Sequence, residues 1–206
     1  MKKTVVLLCA VGFAAAACPA VAAPMYFTDR ASFDAATGGG LAFESFEEDF
    51  DWTPVKVFAG FTVSETQGVD ALAQLRYYSY LPGAITDGTG ALWYDDNGSS
   101  IGTFYAFTSP ITAFGLDVTT DEASTVTIGG SVSDSLVLGV NTPAFWGVID
   151  PAGLTSITFD ASGGPNIAFD ALSYGQAGGV IPAPGAFLLA GLGANLVRWM
   201  RRRRSL

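Results

Sequence analysis

From residue 41 to residue 174 the chain keeps repeating one pattern: a short run of β-branched or aromatic residues, then a turn residue. The runs are 41–46, 55–63, 75–81, 91–94, 101–107, 111–118, 136–140, 144–149, 154–159 and 167–174. Between them, Val126 and Ile128 alternate with Thr125 and Thr127. Asp95-Asp96-Asn97-Gly98, Ser109-Pro110 and Gly129-Gly130 are among the closing turns. About ten strands, recurring every roughly 8 to 12 residues, favour a sandwich or barrel. No stretch between them is long enough for the crossover helix that parallel strands require. The expected fold is therefore all-β: a single jelly-roll-like or lectin-like β-sandwich over 23–175. One short helix precedes the strands. Thr28 or Asp29 caps it, 30–36 form it with Phe33 facing inward, and Gly38 ends it. In finer detail, Gly60 reads as a bulge within one strand, Ser109-Pro110 as the break between two strands, and Asp170 as sharing a face with Ala168 and Leu172.

The ends of the chain follow different rules. Lys2 and Lys3 precede an apolar run, 5–17, and the small residues Ala20-Val21-Ala22. This is the order of a secretory signal peptide over 1–22, cleaved by a signal peptidase after Ala22 or Ala23. The rival is lipidation at Cys18, whose preceding Ala15-Ala16-Ala17 lacks the usual Leu. Cys9 and Cys18 are the two cysteines of the chain, and cleavage removes both. The remaining domain then has no disulfide, thiolate metal site or thiol nucleophile, and its stability rests on its core.

At the other end a linker, 176–181, leads to Pro182-Ala183-Pro184. An apolar run, 185–197, follows, and then Arg198, Arg201, Arg202, Arg203 and Arg204. Helix breaker, apolar stretch and terminal arginines describe a membrane stop with its charges on the cytoplasmic side. Residues 185–200 number 16, short of the roughly 20 that a transmembrane helix needs. Arg198 and Trp199 extend the span by anchoring at the interface. Two readings stand: a permanent anchor, or a processing signal that is read and removed.

All 19 acidic residues lie in 23–179, against three basic ones (Arg30, Lys56, Arg76), a formal charge of −16. Such a surface repels nucleic acid and anionic lipid, and it suits a soluble module that attracts divalent cations.

The chemistry is narrow. The chain has no histidine, which excludes Ser-His-Asp and Cys-His triads and His-based zinc sites. Three constellations remain. The acidic run Glu44, Glu47, Glu48, Asp49 and Asp51 reads as a solvated edge, or as the carboxylate pair of a glycosidase. Asp95 and Asp96, with Asn97 and Gly98, offer oxygen ligands to calcium in a turn, and Asp170 is a further calcium candidate or a hydrogen-bonded structural residue. Among the aromatics, Tyr78, Tyr80 and Trp93 are candidates for an exposed ligand platform, while Trp146 belongs to the core.

The C-terminal tail resembles the PEP-CTERM sorting signal of Gram-negative bacteria, with Ala183 at the position of the usual Glu. Three segments also resemble the closing strands of PEP-CTERM surface proteins. They are Phe145-Trp146-Gly147-Val148, Leu154-Thr155-Ser156-Ile157-Thr158-Phe159 and Phe169-Asp170-Ala171-Leu172-Ser173-Tyr174-Gly175. Ala31-Ser32-Phe33-Asp34-Ala35-Ala36 and Phe43-Glu44 resemble their start. The resemblance implies processing by an exosortase, export to the cell surface or extracellular matrix, and a lectin-like sandwich in which Asp at position 170 is frequent. The expected function is a non-enzymatic, structural or adhesive surface protein. A carbohydrate-binding module for extracellular polysaccharide and a jelly-roll glycoside hydrolase are the alternatives.

Overall fold

A computed structural model describes residues 22–48, 50, 53–65, 74–78, 83–95, 102–161 and 166–178. The unit 23–180 is compact on its own. The apolar N-terminal run, the Pro182-Ala183-Pro184 motif and the arginines from Arg198 to Arg204 lie outside the described residues, as do Tyr80 and Asp96. Among the described residues no helix is long and apolar enough to cross a membrane.

The first elements are β1 (Met25–Phe27) and α1 (Arg30–Thr37). Asp29 caps α1, accepting from the Ser32 N–H at 2.8 Å, and Gly38 ends it in a left-handed conformation at φ 72°. Strands β2 (Ala42–Glu44), β3 (Val55–Phe58), β4 (Phe61–Glu65), β5 (Gln74–Tyr78) and β6 (Ala91–Asp95) follow. The chain continues with β7 (Thr103–Thr120), β8 (Ser124–Gly130), β9 (Asp134–Leu138), β10 (Ala144–Ala161) and β11 (Ile167–Gly175).

The architecture is the expected β-sandwich, and its layers are joined by two strands longer than the sequence suggested. β7 and β10 are 18 residues each and pair antiparallel along most of their length. Residues 113–120 of β7 and 144–149 of β10 belong to a first layer, in the order β6-β11-β7-β10-β1, with β5 outside β6 and β2 on the last part of β11. Residues 103–107 and 154–161 belong to a second layer, in the order β3-β4-β7-β10-β8-β9. The corner lies at Ser109-Pro110 in β7 and at Pro151-Ala152-Gly153 in β10. There the register shifts, and Gly153 takes φ +96°. The sequence break at Ser109-Pro110 is thus a bend in one strand: proline removes a ladder donor but leaves extended backbone, so the strand turns into the other layer.

Gly60 is likewise not a bulge. It is the second residue of a tight hairpin turn with φ +91°, and Phe58 pairs directly with Phe61. The Tyr174 hydroxyl donates to the Ala59 carbonyl, fastening this turn to the end of β11.

The core lies between the layers. Tyr105 and Phe159 of the second layer meet Phe114, Trp146 and Phe169 of the first, with centroids 5.1–6.2 Å apart. These spacings suit edge-on and tilted aromatic packing. Trp146 is a core residue, as the sequence indicated, and its indole N–H donates to Asp134 Oδ2 at 2.9 Å.

Candidate functional site

The outward faces of the two layers differ, and the difference decides where a ligand can reach. The centre of the first layer's outer face is covered. Helix α1 lies across it, with the Phe33 ring 5.4 Å from Phe145 and 5.7 Å from Phe27. Segment 83–90 covers a second part, packing Ala84 and Ile85 on Ala91, Trp93 and Ala168, while Phe43 of β2 and Met25 of β1, at the rim of the same face, stay 55% and 38% exposed. Trp93 is only 5% exposed. It is not the exposed platform residue the sequence suggested, because the loop that precedes its strand folds back over the same face. Tyr78 and Asp95 are described in backbone only, at the ends of β5 and β6, where Tyr78 pairs with Ala91 and Asp95 with Gln74.

Segment 83–90 is held by carboxylates. Asp170 is 1% exposed. It accepts from the Thr86 N–H at 2.6 Å, the Asp87 N–H at 2.7 Å, the Thr86 hydroxyl at 3.2 Å and the adjoining Ala171 N–H at 2.7 Å. Burial pushes its carboxyl above the usual range, opposed by these four donors. Asp117 accepts from the Thr86 hydroxyl at 2.5 Å and pairs with Arg30 at 3.1 Å. Arg30 also donates to the Ala171 carbonyl at 2.8 Å and lies 4.7 Å over the Phe145 ring. Asp170 therefore sits as a hydrogen-bonded structural residue. Among the described residues no group of three or more His, Cys, Asp or Glu side chains is placed to hold a metal ion.

One local feature reassigns faces in β11. Ala171 takes φ +51°, and the register with β7 slips by one residue between Asp170 and Ser173. Asp170 shares its face with Ala168, as expected, but Leu172 returns to the inner core beside Ile167 and Phe169. A bulge adds one residue and so inverts the alternation beyond it.

The acidic run is drawn into structure as well. Glu44 accepts from the Phe46 N–H at 2.9 Å, and Lys56 pairs with Glu48 at 2.9 Å. Glu47 accepts from the Thr89 N–H at 2.8 Å, the Thr89 hydroxyl at 2.5 Å and the Gly90 N–H at 3.2 Å. The Thr89 contacts hold the Glu47 carboxyl below its ordinary value. Asp49 and Asp51 lie outside the described residues.

Among the described residues the second layer's outer face is open. Val55, Ser64, Phe104, Thr158 and Gly129 form one row across five strands, each directly opposite the next. Val57, Thr62, Ala106 and Ser156 form a parallel row, and Asp160, Thr127 and Ser135 a third. None of these residues is buried, and Val57 at 69% and Val137 at 78% mark the two edges. Phe104 is the aromatic ring of this face. It is half-buried, flanked by Ser64 and Thr158, while its neighbours Thr103 and Tyr105 point into the core. The sequence held a signal for it. Thr103-Phe104-Tyr105-Ala106-Phe107 carries aromatics on both parities, and a strand can turn only one parity inward.

Fold and face together define an antiparallel β-sandwich with one sheet face covered at its centre and one open, hydroxyl-rich face among the described residues. Solved structures of similar fold include a xylan-binding CBM22-1 domain of Paenibacillus barcinonensis Xyn10C, at 8% identity and TM-score 0.45 over 68% of this chain and 95% of that one. The K1 adhesin domain of Lys-gingipain from Porphyromonas gingivalis W83 is similar at 12% identity and TM-score 0.46, over 68% of this chain and all of that one. The CBM22-1–GH10 modules of Clostridium thermocellum Xyn10B match at 13% identity and TM-score 0.42, over 66% of this chain but only 28% of that longer one. No protein-family model matches the chain, and no characterised protein matches it in sequence.

Proposed function

We propose that this chain is an exported, non-enzymatic β-sandwich that binds polysaccharide through the open face of its second layer. One observation carries the binding reading: Phe104 stands half-exposed between Ser64 and Thr158, in cross-strand rows whose described residues are none of them buried. A pyranose has an apolar C–H face and a rim of hydroxyls. A flat ring set among side-chain hydroxyls is complementary to both, and it rests on rigid strands. Export follows from the two ends of the sequence. The signal peptide, the Pro182-Ala183-Pro184 motif and the arginine tail support signal peptidase and an exosortase as processing partners. They also support a transient inner-membrane stage and a final place on the cell surface or in the matrix. The contacts that engage Glu44, Glu47 and Glu48 with the Phe46 and Thr89 N–H groups and with Lys56 support a binding role over a glycosidase.

Affinity electrophoresis of the full-length chain through gels holding xylan, glucomannan or mannan tests the reading. Retardation by at least one polymer is expected, with a loss of at least about tenfold in affinity for Phe104→Ala, the order of a lost stacking contact. Equal retardation of the wild type and Phe104→Ala would remove this face from the function.

A further inference from the structure

We propose that the open face selects uncharged glycan chains, and that Asp160 is the residue that turns anionic ones away. This rests on the polysaccharide-binding reading above and narrows its ligand.

The placement comes from register. Thr158 lies directly opposite Phe104, and Asp160 is the next outward residue along the same strand. Asp160 is thus the diagonal neighbour of Phe104, about 7–8 Å away, which is the width of one sugar ring with its substituents. It is exposed, it faces Thr127 across the strand, and it has no ion-pair partner among the described residues. A carboxylate here accepts hydrogen bonds from the hydroxyls of a sugar stacked on Phe104. It repels a uronate or sulfate held at the same spot.

Among the described side chains no cation on this face offsets it. The domain has three basic residues. Arg30 is committed to Asp117 and Ala171 beneath α1. Lys56 alternates with the outward Val55 and Val57, and it pairs with Glu48 while lying over the Phe50 and Phe58 rings. Arg76 is on β5, which is not a strand of this face. Ion pairing with an anionic polysaccharide draws on Arg or Lys, and the described side chains of this face include none. The partial desolvation that raises the Asp160 carboxyl above its ordinary range fits a group whose charge is felt strongly by a ligand in contact.

The −16 domain charge would also repel anionic polymers at long range, so the test must separate the field from the contact. At about 0.5 M salt the screening length falls to roughly 4 Å, which removes the field and leaves the contact. The full-length chain and its Asp160→Asn and Phe104→Ala variants are run through gels of a neutral polymer (xylan, glucomannan or mannan) and of polygalacturonate, at about 20 mM and 0.5 M salt. The expected wild type is retarded by a neutral polymer equally at both salts, and by polygalacturonate at neither. Asp160→Asn should gain at least about tenfold in affinity for polygalacturonate at 0.5 M salt, and keep its neutral binding within a few-fold. Polygalacturonate binding by the wild type at 0.5 M salt, or unchanged exclusion in Asp160→Asn, overturns the inference while polysaccharide binding itself stands. No retardation by any polymer overturns both.

Discussion

Asp117 and Asp170 face each other directly across β7 and β11, and the Thr86 hydroxyl lies between them, 2.5 Å from one carboxylate and 3.2 Å from the other. Like charges opposed in this way are destabilising on a bare sheet. Here they become a clasp. Arg30 offsets the charge from the helix side, and the backbone N–H groups of Thr86 and Asp87 fill Asp170 from the loop side. The pair thereby fixes both covers of the first layer.

Removing one half of that clasp should be costly. Asp170→Ala orphans the N–H groups of Thr86 and Asp87, and a loss of about 1–3 kcal/mol is expected from two part-buried donors left without this partner. Because the donors are protein groups, the loss in melting temperature should be the same in millimolar calcium and in chelator. A wild-type melting temperature that rises with calcium, and a rise that disappears in Asp170→Ala, would assign the residue to a metal instead.

The seat of α1 gives a second test. Gly115 and Gly147 are a cross-strand pair under the Phe33 ring. A methyl group at Gly147 would lie 2.9 Å from both the Phe33 and the Phe145 rings. Gly147→Ala should displace Phe33 and cost about 1–3 kcal/mol, the range for overpacking a filled site. Gly147→Ala combined with Phe33→Leu should recover part of it. Chemical denaturation measures both.

The carboxylates also set opposite pH dependences. Glu47 is held below its unfolded value by the Thr89 contacts, so its contribution is present above the unfolded pKa and is lost as pH falls through the folded one. Asp170 is raised by burial, so its folded state binds the proton more tightly, and its contribution grows as pH falls and is lost as pH rises through the folded value. Between about pH 5 and pH 3 the wild type should therefore lose more stability than Glu47→Gln. An unchanged acid limb in Glu47→Gln would show that the Thr89–Glu47 contact contributes nothing in solution.

Processing is read by intact mass. Protein recovered from the surface of an exporting host should begin at Ala23 or Pro24 and should lack the arginine tail. Recovery of a surface form that ends at Leu206 would replace sorting with a permanent anchor.

Much of this molecule was legible in its residues because the signals are local. The Asp29 cap, the Gly38 stop and the inward Phe33 depend on neighbours a few residues apart, and each is where alternation and capping chemistry put it. The all-β sandwich follows from the same alternation. What only the tertiary structure decided is which outward face stays outward. Trp93 and Phe104 look alike in sequence, each an aromatic within a short strand, yet segment 83–90 closes over one and the other stays half-buried. That choice is made by the Thr86–Asp117–Asp170 contacts, between residues 31 and 84 positions apart. The continuity of β7 and β10 through the corner and the inverted parity after Ala171 are decisions of the same kind. Each depends on register between strands distant in the chain, and one residue of slip changes which side chains meet a ligand and which meet the core.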